Sequence, residues 1–471
     1  MSMITRRYIH TVLLVALIVC SVQSLAQQPV SGRWEGAINL PGMDLGILVE
    51  FTPAGDSLKG TIDIPMQMAK GLQLHDVRKQ EKAIQFALQA GPGIARFEGT
   101  LAGDSISGTF SQATVKCPFV LRRAKEVQKP DPPPYKEEEV SITSDSITLA
   151  GTLTIPPTAG PHPAAILLTG SGAQTRDEEV AGFQVFRLLA DQLTRKGFAV
   201  LRCDDRGMGK STGTYAAATT ADFAEDALSQ WKFLRGHKDI DASRLGLIGH
   251  SEGALAASIA CSKNPAIAFA VLLAGPAVRG DSLILGQLER MARMGGAPDS
   301  VIARAIQTQQ RVFATVRADT GWEALREVLR AEMLKSLEMA TPEQRAAFGN
   351  VDSMVSARVE FQIQQIKTPW FRKFTSYDPA GDLRSMTCPV LALFGSLDMQ
   401  VPATQNARVM EQLFRESGNT RTSCRIISGA NHLFQIAKTG SPMEYGQMKK
   451  EFAPGFVDDI AQWMTDTMSK K

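Results

Sequence analysis

Arg244–Ala260, RLGLIGHSEGALAASIA, is the stretch that decides how the chain is read. A short apolar run ends at Gly249-His250, a serine follows between two glycines, and a run of small helix formers begins at once. Gly249-His250-Ser251-Glu252-Gly253 spells G-x-S-x-G, the strand-to-helix turn that lifts a nucleophilic serine above a sheet, with glycine where a side chain would collide. The spelling occurs a second time, at Gly209-Lys210-Ser211-Thr212-Gly213. There, polar residues separate Ser211 from the preceding strand and no helix of small residues follows, so context selects Ser251. GMGKS in the same region has the look of a phosphate loop, but Asp204 stands where its first glycine belongs, and no nucleotide site is read.

A serine hydroxyl is a poor nucleophile without a base held in place by a third group. The chain has six histidines. His10 lies in the N-terminal leader, His75 in a strand-rich region, His162 between prolines, and His237 in the charged GHKD. His250 neighbours the serine and so points to the opposite face of the strand. His432 remains, in RIISGANHLF just past an apolar strand, where a parallel sheet gathers its ligand-facing loops. Asp398, in VLALFGSLDMQVP, follows another strand to the same edge. The chain order Ser251, Asp398, His432 is that of nucleophile, acid and base in an α/β-hydrolase triad, with His432 taking the serine proton and Asp398 fixing the imidazole tautomer. The oxyanion is expected to meet the backbone N–H of Glu252, at a helix start, and that of Ser171 in LLTGSGAQTRDE, with Gly172 as the alternative donor. Glu252, Asp177, Glu178 and Glu179 carry side chains able in principle to bind an amine; they are read as solvated loop charges.

With 471 residues, two or three domains are expected, and a net charge of +3 from 51 basic and 48 acidic residues gives no reason to expect nucleic acid. Arg6 and Arg7 precede TVLLVALIVC, and Ser24-Leu25-Ala26 offers a cleavage site, so residues 1–26 read as a secretory signal peptide. Export to the periplasm or beyond follows, with no membrane span left after cleavage. The remaining cysteines, Cys117, Cys203, Cys261, Cys388 and Cys424, are odd in number and lack C-x-x-C spacing, which argues against a disulfide framework or a zinc site. Cys388 and Cys424 begin two strands and are the candidate pair, although buried free thiols are the expected state.

Residues 30–124 alternate in short runs such as GRWEGAINL and ARFEGTL and are read as an all-β accessory domain. AGDSLKGTI from Ala54 recurs as AGDSISGTF from Ala102, two similar hairpins. Residues 125–139, KEVQKPDPPPYKEEE, read as a stiff proline linker. Beyond it, PAAILLTG, FAVLRCDD, RLGLIGH, AFAVLLAG and CPVLALFG are apolar runs of the kind that parallel strands buried on both faces require, and helical patterns separate most of them. From about 280 to 376 only helical patterns appear: Trp322, Leu325, Leu329 and Leu337 share a face, and Thr341-Pro342-Glu343-Gln344 opens a helix. This interval is read as a helical cap inserted in the sheet domain.

Together, GSGAQTRDE, DDRGMGKSTG, GHSEG, WFRKFTSYDPAGDL, CPVLALFGSLDMQVP and GANHLF resemble the α/β-hydrolase superfamily, in particular bacterial serine esterases and serine-aminopeptidase-like hydrolases, over about Val140–Lys471. The resemblance implies an α/β fold, an α/β-hydrolase sheet with an inserted cap preceded here by a small all-β domain. It places Ser251, Asp398 and His432 in the triad and Ser171 and Glu252 at the oxyanion, without cofactor or metal. Thr169 departs from it, since many relatives carry histidine before the oxyanion glycine. The expected activity is hydrolysis of small-molecule carboxylic esters of small or medium acyl groups through an acyl-serine. A peptidase, amidase or acyltransferase would use the same triad, and a non-catalytic surface- or acyl-binding protein is the reading from another class. Substrate identity and oligomeric state are not read from the sequence.

Overall fold

Apolar residues alternate with polar ones along the first strands, giving each a dry face and a wet face, and a sheet of such strands is rid of its exposed edges by closing. The computed structural model describes residues 30–40, 43–55, 57–64, 69–90, 93–112, 115–124, 132–338 and 350–469. The signal-peptide reading, residues 125–131 of the linker and the helix start at Thr341 lie outside them. Strands β1 (Gly32–Leu40), β2 (Met43–Ala54), β3 (Ser57–Ile64), β4 (Ala69–Gln80), β5 (Ala83–Ala90), β6 (Gly93–Ala102), β7 (Ser105–Gln112) and β8 (Val115–Arg123) form a closed barrel in sequence order. Closure is made by β1, which pairs antiparallel with both β2 and β8. The interior is filled with side chains: Phe86 stacks on Phe97 at 4.5 Å, and Phe51 and Phe119 meet Phe86 edge-on. The two repeated stretches fall on equivalent tight hairpins, β2–β3 and β6–β7, with Gly55 and Gly103 at φ of 62° and 58°.

The second unit is built on an eight-stranded sheet. Its strands are β9 (Lys136–Ser144), β10 (Ile147–Ile155), β11 (His162–Leu168), β14 (Ala199–Cys203), β15 (Ile240–His250), β16 (Ala270–Leu273), β17 (Val390–Gly395) and β18 (Thr422–Ile427). Their order is β18-β17-β16-β15-β11-β14-β10-β9, with β10 antiparallel to both neighbours and the run from β14 to β18 parallel. A short hairpin, β12 (Glu179–Val180) with β13 (Phe183–Gln184), follows β11. Lys136–Glu139, read as linker, are the first residues of β9; this edge strand buries only alternate side chains, so charges on its outer face do not oppose pairing.

Crossover helices α1 (Val185–Arg195), α2 (Thr220–Arg235), α3 (Glu252–Lys263), α10 (Ala403–Ser417) and α11 (Phe456–Ser469) accompany the sheet. Between β16 and β17 the described residues form the helices α4 (Gly280–Met294), α5 (Asp299–Ala318), α6 (Trp322–Glu338), α7 (Val351–Ile366), α8 (Pro369–Ser376) and α9 (Ala380–Ser385). Helices α5, α6 and α7 bury Val312, Val316, Leu325, Leu329, Val355, Val359 and Ile363 in a cluster of their own, and Trp322 and Leu337 pack on it. Leu283 of α4 and Phe374 of α8 instead join the core of the sheet. Among the described residues no helix is long and apolar enough to cross a membrane.

Cys388 and Cys424 are not paired, and all five described cysteines are free thiols. In the β17–β18 register Cys424 stands opposite Ala392, four residues along from Cys388, or ~13 Å at 3.3 Å per residue. The thiol that Cys388 meets is that of Cys261, on α3.

Candidate active site

Ser251 sits between β15 and α3 with φ 54° and ψ −116°, a conformation costly for a residue with a side chain and held by its surroundings. Two close approaches make the turn possible. A Cβ on Gly249 would stand 2.2 Å from the carbonyl oxygen of Gly253, and one on Gly253 would stand 2.0 Å from that of Leu168. Only glycine at both positions lets α3 begin this close to β11 and β15. The Ser251 amide is anchored on the carbonyl of Leu273, 2.8 Å away in β16. Ser211, by contrast, is consumed by structure: its buried Oγ donates to the Asp204 carbonyl at 2.8 Å and accepts the Ala150 amide at 2.9 Å.

Asp398 and His432 meet at the same edge. Asp398 follows β17 and His432 follows β18; Nδ1 of His432 lies 2.7 Å from Oδ2 of Asp398, and both residues are buried. The other carboxylate oxygen of Asp398 accepts the amides of Gln400 and Val401 at 2.7 and 2.8 Å, which sets its plane. Asn431 holds the histidine turn from within, its Oδ1 accepting the amides of Leu433 and Gln435. His250 bridges to Ser251's side of the site: its Nε2 is 3.0 Å from the carbonyl oxygen of His432, and the two imidazole rings are 4.8 Å apart.

The turn after β11 is tied down along its length. Thr169 donates to Oδ1 of Asp205 at 2.7 Å, the Gln174 amide to Oδ2 of Asp205 at 2.9 Å, and Arg176 to Asp204 at 2.8 Å. Thr169, which departs from the family pattern, thus anchors the turn to the end of β14. The amides on either side of Ser171 are engaged as well: Gly170 N–H donates to Glu178 at 2.7 Å, and Gly172 N–H to the Tyr215 hydroxyl at 2.9 Å. Gly172 is therefore committed elsewhere, while Ser171 stands between them with no backbone hydrogen bond among the described residues. Gly170 adjoins Ser251, since a Cβ placed on it would lie 3.3 Å from Cβ of Ser251.

Two carboxylates read as solvated are buried. Glu178 is 1% exposed and pairs with Nδ1 of His250 at 2.8 Å. Glu252 accepts from Thr220 at 2.6 Å and from the indole N–H of Trp370, on α8, at 2.7 Å, both on one carboxylate oxygen. Burial raises its carboxyl above the usual carboxylate range. Asp205 is pushed up to about 7, burial outweighing the hydrogen bonds from Thr169 and Gln174, with Glu178 and Glu252 acting in the same sense as burial. Asp177 pairs with Arg202, and Glu179 accepts from Gln184 at 3.1 Å. Nothing in the string Arg176-Asp177-Glu178-Glu179 marks which carboxylate is buried. A histidine beside the serine, needing partners for two ring nitrogens, was the one available sign. Among the described residues no three of His, Cys, Asp and Glu gather as metal ligands would.

The strand order, the positive-φ serine turn and the Asp398–His432 pair at the carboxyl edge define an α/β hydrolase. The family model described as serine aminopeptidase, S33, matches residues 182–436, over half of the chain, and the chain belongs to that family. The matched span contains Ser251, Asp398 and His432. Esterase EstD of Thermotoga maritima is 26% identical over 336 residues, which cover 71% of this chain and 68% of that protein. Among solved structures, an esterase of Pyrococcus furiosus, Pf2001, aligns with 16% identity and a TM-score of 0.43, covering 74% of this chain and 96% of its own. The α/β hydrolase GrgF from Penicillium sp. sh18 aligns with 16% identity and a TM-score of 0.43 over 71% and 99%.

Proposed function

We propose that this hydrolase is a serine esterase, exported from the cell, that cleaves carboxylic esters of small or medium acyl groups through an acyl-serine intermediate. The observation that carries the reading is the buried Asp398–His432 hydrogen bond of 2.7 Å at the sheet edge where Ser251 holds its positive φ. The Thermotoga maritima relative, an esterase, supports the substrate class. With Nδ1–H donated to Asp398, His432 presents Nε2 as the base. It takes the Ser251 proton as Oγ attacks the ester carbon, and the carbonyl oxygen becomes an oxyanion facing the N–H groups of Glu252 and Ser171. Collapse expels the alkoxide, which leaves as the alcohol with the proton from His432. Water then attacks the acyl-serine, its proton passing to His432 and on to Ser251 as the acid departs. Export rests on Arg6, Arg7 and the apolar run TVLLVALIVC.

Ser251→Ala is expected to abolish hydrolysis of aryl acyl esters and labelling by a fluorophosphonate, with thermal unfolding little changed. Persistent hydrolysis in that variant would overturn the reading. A peptidase reading has its own support, in the serine aminopeptidase family and in the carboxyls of buried Glu252 and half-buried Asp205, which line one cavity with Gly170. Aminoacyl amides assayed beside aryl esters discriminate the two.

A further inference from the structure

His250 is 3% exposed and sits between two acceptors. Its Nε2 faces the carbonyl oxygen of His432 at 3.0 Å, and a carbonyl only accepts, so Nε2 carries hydrogen. Its Nδ1 faces Oε1 of Glu178 at 2.8 Å, an oxygen that already receives the Gly170 amide at 2.7 Å. An oxygen that already accepts an amide N–H faces Nδ1 as an acceptor, so Nδ1 carries hydrogen as well, and a ring with both is an imidazolium. Burial alone disfavours that charge, but Glu178, the His432 carbonyl and Asp398 oppose burial and hold the ring above the ordinary histidine range. The ionisable groups around it are Glu178 on the turn after β11, Asp398 on the turn after β17 and the His432 ring after β18, with Asp205 in electrostatic reach of Glu178.

We propose that His250 is a protonated positioning residue, an imidazolium that ties the backbone of His432 to Glu178 and, through Glu178, to the Gly170 amide. The base, the nucleophile and the turn bearing Ser171 are thereby held as one unit, with a fixed positive charge beside them. The inference rests on the esterase reading for its kinetic consequence and on geometry alone for the charge.

Two measurements on the full chain test it. In ¹⁵N-histidine NMR, one imidazole is expected to keep both ring nitrogens protonated at pH values where an ordinary histidine has already lost its second proton. That signal should vanish in His250→Gln and should titrate in Glu178→Gln, where the counter-charge is gone. A His250 ring with a single protonated nitrogen near neutral pH would overturn the proposal. In kinetics on a short-chain aryl ester, both variants should lose roughly tenfold or more in kcat with KM within about twofold, as for groups acting through geometry. The acid limb of kcat/KM should move to higher pH in His250→Gln, because a buried positive charge no longer opposes a second one on the base. Unchanged kcat and an unchanged acid limb in folded variants would also overturn it. Were Ser251→Ala active, the esterase reading would fall while the NMR result still reported on the imidazolium.

Discussion

Asp398 shows how one carboxylate sets the state of another residue. Its Oδ1 is fixed by two backbone amides, so an asparagine there would keep its oxygen on them and turn its NH₂ toward Nδ1 of His432. That nitrogen would then have to accept, leaving the hydrogen on Nε2, where it cannot take the serine proton. Asp398→Asn is expected to lower kcat about 10,000-fold near neutral pH with little change in unfolding temperature; more than a tenth of the activity remaining would remove Asp398 from its role. Asp205 makes a prediction about stability. Its carboxyl is held at about 7 in the fold against ~3.9 in an unfolded chain, so between these values the folded state keeps a proton the unfolded state has released. Its stabilising contribution is complete below ~pH 4 and is lost as pH rises through about 7. Asp205→Asn, neutral throughout, should flatten a decline of a few degrees in Tm across that window, as measured by calorimetry at a series of pH values. At this scale the sequence was legible where a residue's position on a strand end constrains it. Ser251 and Asp398 each follow an apolar run whose direction is forced by the parallel sheet, and His432 follows the edge strand beside it, whereas Glu178 and Asp205 owe their surroundings to a loop path that no local pattern encodes.

Elements were legible where they are buried on both faces. The five inner parallel strands, β11 and β14 to β17, read directly as apolar runs, while the edge strands did not: β18 has no fully buried residue, and β9, with one wet face, can carry KEEE and still pair. The cap read correctly as helical, but its division into two parts did not, since amphipathic periodicity shows that a helix has a dry face and not which core receives it. Helices α4 and α8 belong with the sheet: Leu283 and Phe374 enter its core, Trp370 reaches Glu252, and Gln287 of α4 donates to the carbonyl of Gln400 at 2.9 Å. Helices α5 to α7 have their own cluster. Replacing residues 299–366 with a flexible linker is therefore expected to leave the sheet unit folded, with its unfolding temperature within a few degrees of the full chain. Loss of folding in that variant would show that the outer helices support the sheet after all.

The chain as a whole divides into two units, each with a core that includes no residue of the other. The charges and prolines between them lie where the chain divides, but the place where the second unit begins needed the structure: Tyr135 donates to Asp191 at 2.8 Å just before β9. A chain beginning near Pro132 should accordingly fold and hydrolyse the smallest soluble esters within about twofold of the full-length rate, because Ser171, Ser251, Glu252, Asp398 and His432 all lie beyond it. A folded truncation that lost this activity would assign the barrel a part in the chemistry. The way the barrel closes has a mechanical side as well. Because β1 lies antiparallel to β8, with Trp34 opposite Arg123, the points where the chain enters and leaves the barrel are at the same rim. Tension applied between those two points would not shear a whole strand pair at once; it would peel β1 from β8 one hydrogen-bonded pair at a time, starting beside the Ala124 amide on Arg33. A fold sealed against exposed edges by a single seam thus has that seam where a tether at either end of the unit would pull.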